Sequence, residues 1–172
     1  YSFDGRAPVA EILAAANKRG IDAYNKNDYE KSLGYFNDAL VERPDTPKLN
    51  FNRGTALSAL NKPEEALNEF LSAATTLDNP GETAAAYFNA GNTLLASNNL
   101  EGAIGEYKKA VMLDPASQDI RHNLELAVRK LNQQKEEQKK DQQQQNSEKQ
   151  QNENKDKQKE QDKKEQEKQQ DK

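Results

Sequence analysis

Side-chain amides recur at a fixed interval along this sequence. Asn52, Asn89 and Asn123 stand 37 and 34 residues apart, and Lys18 stands 34 residues before Asn52. One position earlier come Asn17, Phe51, Phe88 and His122; three positions after Asn52 and Asn89 come Thr55 and Asn92. Lys48 precedes Asn52 by about one helical turn. A carboxamide donates and accepts hydrogen bonds at once, so a ladder of them suits the backbone of an extended peptide. Two phenylalanine rings beside it would supply apolar area for partner side chains. The candidate peptide-binding set is therefore Lys18, Lys48, Phe51, Asn52, Thr55, Phe88, Asn89, Asn92 and Asn123. The same residues have a second reading: the amides bond neighbouring helices, and Phe51 and Phe88 belong partly to the core.

Catalytic chemistry has far less to work with. His122 is the single histidine and there is no cysteine, which leaves no thiol nucleophile, disulfide framework or Cys-based metal site. No H-x-x-x-H, G-x-S-x-G or phosphate-loop pattern occurs. Glu64-Glu65 is an adjacent acidic pair, but acids at a helix start serve the helix dipole. No loop has the oxygen-ligand spacing of a calcium site. The expectation is a protein that is not an enzyme and needs neither cofactor nor metal.

The amide interval belongs to a longer repeat. Gly20, Ser32, Phe36, Ala39 and Pro44 are matched by Gly54, Ala66, Phe70 and Ala73, and again by Gly91, Ala103, Tyr107, Ala110 and Pro115. Within each copy the small residues are 12 apart, an aromatic follows after 4 and an Ala after 3. The copies are offset by 34 and then 37, with the extra residues in the turn-rich stretch Asp78-Asn79-Pro80-Gly81-Glu82, where insertion is cheap. Such spacing is that of paired helices: glycine on the first admits the second closely, and the aromatics fill space between hairpins. A single hairpin leaves one apolar face bare and needs a neighbour or a cap. Asp45-Thr46-Pro47 and Pro63 mark helix starts, Asn27-Asp28 and Asn98-Asn99 mark internal turns, and Pro44 and Pro115 mark helix ends. Helices are predicted over 8–25, 29–42, 47–60, 63–76, 82–97, 100–113 and 117–131, with no strands.

Small–aromatic–Ala–Pro at a 34-residue period resembles the tetratricopeptide repeat. The resemblance covers about 120 residues, with Ser32 in place of the usual Ala and with Ala16 and Asn50 where Tyr87 supplies the bulky residue of the first helix. It implies an all-α, right-handed solenoid of three helix-turn-helix repeats whose first helices line a concave groove. The repeats fall at about 13–46, 47–80 and 84–117. A helix at 118–131 would cap them with Ile120, Leu124 and Ala127 or Val128, while Glu125 stands where the repeats carry glycine. The carboxylate clamp of chaperone-binding members is not reproduced: only Lys18 and Lys48 lie nearby, and Ile21 stands at one of its Asn positions. The order of three repeats, a three-residue insertion, an RHNLELAVRKL cap and a Gln/Lys/Glu tail is similar to the tetratricopeptide subunit of bacterial aerotolerance (Bat) operons. That narrower resemblance implies von Willebrand factor A-domain membrane partners, a setting at the periplasmic membrane, and a link to oxidative stress carried by those partners.

Composition divides the chain in the same way. Residues 132–172 comprise 14 Gln, 11 Lys, 7 Glu, 4 Asp, 4 Asn and one Ser, so all apolar residues lie before them and the tail charges cancel. The expected layout is an extension at 1–7, a repeat domain at 8–131 and this tail, disordered or a fraying helix. Glu136–Lys140, Glu153–Lys157 and Glu160–Lys164 have the favourable i,i+4 order, each contributing roughly 0.2–0.5 kcal/mol. Without an apolar seam the tail forms no coiled coil; it is a solvating spacer or a docking arm. The net charge of −4 sits in the repeats and argues against nucleic acid. No apolar run is long enough to span a membrane. The chain starts at Tyr1 without a Met, as removal of an export leader, or a cut made for another reason, would leave it. The leading expectation is a monomeric adaptor that binds a protein segment; the competing ones are a self-assembling solenoid and a chaperone cofactor.

Overall fold

The computed structural model describes residues 8–170, all of whose regular elements are helical. The extension expected at 1–7 lies outside these residues. Seven helices follow in order: α1 (Val9–Asn25), α2 (Tyr29–Glu42), α3 (Pro47–Ala59), α4 (Pro63–Thr76), α5 (Pro80–Ala96), α6 (Leu100–Leu113) and α7 (Gln118–Gln170). The chain divides into two units, Tyr1–Arg129 and Lys130–Lys172.

Local chemistry explains the boundaries. Pro opens α3, α4 and α5, where its missing N–H costs nothing. The start of α5 lies two residues before its predicted place, because Asn79 caps it by accepting from the Glu82 N–H at 3.0 Å. Asn99 caps α6 in the same way through Gly102. The three internal turns are copies of one motif. Asn27, Asn61 and Asn98 adopt φ of 60°, 57° and 57°, a left-handed conformation that Asn tolerates better than most residues. At each, the next residue's N–H returns to the carbonyl five positions back: Asp28 to Ala23, Lys62 to Leu57, Asn99 to Leu94.

Between the paired helices the glycines do one specific job. A Cβ added at Gly54 or Gly91 would come within 2.9 Å of the Phe70 ring and 2.6 Å of the Tyr107 ring, and one at Gly20 would meet Phe36 still more closely. The aromatic of each repeat thus packs directly on the glycine of its own first helix, sixteen residues back, rather than only between hairpins. Phe36, Phe70 and Tyr107 are almost fully buried, each contributing about 1.5–3 kcal/mol by leaving water. Ser32, also buried, fills the small position and donates its hydroxyl to the Gly20 carbonyl at 2.8 Å. Asn50, in the slot of Tyr87, is buried and reaches Ser72 at 3.4 Å.

Within the first unit, α7 closes the stack. Ile120 packs with Ala84 and Ala110, and Ala127 packs with Ala103 and Tyr107. Glu125 stays exposed and pairs with Arg129 at 2.8 Å. The same helix continues to Gln170, so the tail takes the helical one of the two forms expected for it. Residues 132–170 contain no Gly and no Pro, and Gln, Lys and Glu follow closely behind Ala in helix propensity.

Candidate functional site: the α1–α3–α5 face

The first helices α1, α3 and α5 share a face that carries three adjoining depressions. Ile21 and Tyr24 of α1 and Phe51, Asn52 and Thr55 of α3 line one of about 230 Å3, with Phe36 beneath. Asn17, Lys48, Phe51 and Asn52 line a second of about 260 Å3, closed on the α5 side by Leu77, Glu82 and Ala85. The third, of about 430 Å3, lies between α3 and α5 and is lined by Thr55, Ser58, Phe70, Asn89, Asn92 and Thr93, with Tyr24 contributing from α1. Phe51, Asn52, Thr55 and Tyr24 each border two of them, so the depressions form one track.

Six of the nine predicted residues therefore meet on this track: Lys48, Phe51, Asn52, Thr55, Asn89 and Asn92. Their hydrogen bonds decide what each offers. Asn52 donates its Nδ2 to Asn17 Oδ1 at 2.7 Å, a bond between α3 and α1 that leaves Asn52 Oδ1 as acceptor. Thr55 donates to the Phe51 carbonyl of its own helix at 3.0 Å. Asn92 Oδ1 accepts from Tyr107 at 2.7 Å and from Asn123 at 2.8 Å. Asn123 thus joins the site through Asn92. Phe51 meets Phe70 edge-on at 5.6 Å, exposing only part of its ring.

Two predicted residues stand apart. Phe88 turns to Tyr107, 5.9 Å between centroids, and fills the space between α5, α6 and the cap. Of its two readings, core packing is where its ring goes. Lys18 is exposed on α1 and borders none of the three depressions. Lys48 pairs with Glu82 at 2.9 Å, and both are well exposed, so the pair contributes little to stability but neutralises the cation at the rim. The depression between α3 and α5 is lined by no Lys, Arg or His.

Sequence reasoning missed Tyr24 and Tyr107. Tyr107 carried a signal, since it is the one repeat aromatic with a hydroxyl. Burial pushes that phenol up to about 12, partly offset by the Asn123 amide. Tyr24 had none: its counterparts Ser58 and Leu95 share no chemistry with it. His122 is exposed on α7. Among the described residues no group of His, Asp and Glu is arranged to hold a metal ion, and no helix is long and apolar enough to cross a membrane.

Two family models described as tetratricopeptide repeat match residues 17–82 and 84–117. A DnaJ homolog subfamily C member 7 homolog from Dictyostelium discoideum is 29% identical over 119 residues, 67% of this chain and 22% of that protein. This chain thus spans about a fifth of that curated relative's length. The Sgt2 tetratricopeptide domain from Aspergillus fumigatus superposes with a TM-score of 0.66 at 22% identity, covering 72% of this chain and 82% of that one. The first such domain of Spaghetti (RPAP3), solved bound to the HSP90 peptide SRMEEVD, gives 0.66 at 20% identity over 71% and 94% of the two chains. Matched helices, shared turns and glycine-seated aromatics carry one conclusion: this chain belongs to the tetratricopeptide repeat family.

Proposed function

We propose that the protein is a non-enzymatic adaptor whose α1–α3–α5 face binds an extended segment of a partner protein. Tetratricopeptide domains are protein-interaction modules, and similarly folded domains hold peptides, as in the Spaghetti complex. The observation that carries the reading here is the continuous track of amides and rings across three helices. At its finer level, the cap sequence and the Gln/Lys/Glu tail support a Bat-type complex. The partners are then von Willebrand factor A-domain membrane proteins at the periplasmic face, and any role in aerotolerance or oxidative stress runs through them.

The test is co-purification of this chain with A-domain membrane proteins from cells that make both. The Asn52→Ala, Asn89→Ala double variant is run beside the wild type. Capture should fall while the helical signal stays; unchanged capture by the folded variant sinks the groove assignment, and an entirely cytosolic set of captured proteins sinks the localisation. Sedimentation across concentrations separates an adaptor, monomeric alone, from a self-stacking solenoid. A chaperone-cofactor role is disfavoured because Lys48 is already paired and the depression between α3 and α5 holds no cation. Titration with SRMEEVD peptide tests it directly.

A further inference from the structure

At the ring seated on glycine, the third repeat differs from the other two by one oxygen atom. Phe36 and Phe70 seat bare rings on Gly20 and Gly54; Tyr107 seats a phenol on Gly91. The Tyr107 side chain is fully buried, so its proton must find an acceptor inside the protein. It finds Asn92 Oδ1 at 2.7 Å, and Asn123 Nδ2 aims at the same oxygen from the cap helix at 2.8 Å. Turning the Asn92 carboxamide over would break both bonds and set its NH2 against the Asn123 NH2. The orientation present satisfies all three groups. In it, Asn92 has its N–H donors to offer, and it borders the depression between α3 and α5 together with Asn89, Thr55 and Phe70.

That depression has a clear ligand preference. Its lining is neutral, so a bound carboxylate would lose its water without gaining a cation, a costly exchange. A backbone carbonyl costs far less to desolvate and fits an amide donor. We propose that Tyr107 is a positioning residue of the groove. Its hydroxyl locks Asn92 with N–H groups presented to the depression, which thereby takes the backbone carbonyls of an uncharged internal stretch of extended polypeptide. The partner class rests on the groove reading of the preceding section; the lock does not.

Tyr107→Phe tests both parts in the full-length chain. The repeats supply the control, because Phe36 and Phe70 show that a plain ring is accommodated at this position. The first measurement is 15N relaxation of the asparagine side-chain amides. In the variant Asn92 keeps only its bond from Asn123, so the order parameter of Asn92 Nδ2 should fall below its wild-type value, while that of Asn52, tied to Asn17, stays put. An Asn92 amide as ordered in the variant as in the wild type overturns the lock. The second measurement is binding of a pool of N-acetylated, C-amidated heptapeptides of Ala, Ser, Thr, Val and Leu, with SRMEEVD in parallel. Wild type should prefer the neutral pool, and Tyr107→Phe should weaken that binding about fivefold, the scale of one hydrogen bond. Preference for SRMEEVD, or equal binding by the two proteins, overturns the partner class. Absence of any binding by wild type overturns the groove reading itself and is distinguished by the relaxation result, which needs no ligand.

Discussion

Gly91→Ala is the sharpest test of how these repeats are held together. In an exposed helix interior, Gly→Ala stabilises by about 1 kcal/mol through backbone entropy. At Gly91 the new methyl carbon would lie 2.6 and 2.7 Å from two Tyr107 ring carbons, well inside van der Waals contact. The ring can retreat only by leaving Asn92, to which its hydroxyl is bonded, or by pressing on Ala127 of the cap. Overpacking a close-fitted site costs about 1–3 kcal/mol, and breaking the phenol's buried bond adds about 1 kcal/mol. Set against the entropy gain, the net loss should be about 1–3 kcal/mol. Gly105→Ala is the matched control: nothing lies within 4 Å of the added carbon, so stability should rise by about 0.5–1 kcal/mol. The assay is urea unfolding followed by tyrosine fluorescence. The chain has no Trp, and all six Tyr precede residue 132, so the signal reports the repeats and is blind to the tail helix, which adds to dichroism at 222 nm. Equal stabilisation by both substitutions would refute the claim that the glycines exist to seat the aromatics.

Alkaline titration should expose Tyr107. With its folded pKa raised to about 12 from 10.0, the unfolded chain releases this proton first, so stability is intact below pH 10 and falls as pH rises toward 12. The loss at pH 11 is about 1.4 kcal/mol, read as the difference between wild type and Tyr107→Phe in denaturant midpoints. Asn61→Ala should cost about 1 kcal/mol because Ala resists the left-handed conformation at φ 57°, whereas Asn61→Gly should cost less; thermal unfolding of the two variants checks the order. Ser32→Ala should cost no more than about 1 kcal/mol by urea unfolding, since Ala66 and Ala103 already occupy the equivalent positions. Ending the chain after Leu131 should leave the fluorescence-detected urea midpoint unchanged, because no apolar residue is lost; a lower midpoint would show the tail stabilising the repeats.

Much of this fold was legible because its signals are spatially forced. A glycine that must admit a ring, sixteen residues before that ring, cannot drift, and three copies make the interval visible. The Asn turns were legible in part: Asn27 and Asn98 stood out in runs of turn residues, while Asn61 was overshadowed by Pro63. The tail was legible only as a pair of alternatives, because it has no apolar stripe and its helix rests on propensity and i,i+4 pairs. The candidate site was legible as a set of positions but not as chemistry. Equivalent positions predicted equivalent roles for Phe51 and Phe88, yet Phe51 borders two depressions and Phe88 is turned into the stack.

That divergence follows from what stands behind each ring. Phe51 leans on Phe70, whose bare edge leaves the amides of α3 to bond back to Asn17 on α1. Phe88 leans on Tyr107, whose hydroxyl draws Asn92 and the cap's Asn123 into one network directed forward along the stack. Asn52 is thus held from α1, whereas Asn92 is held from α6 and the cap. The positions are not equivalent along the repeat, since Asn89 matches Asn52 and Thr55 matches Asn92. The contrast between the two repeats therefore needs both the hydroxyl of Tyr107 and an amide at 92 to receive it.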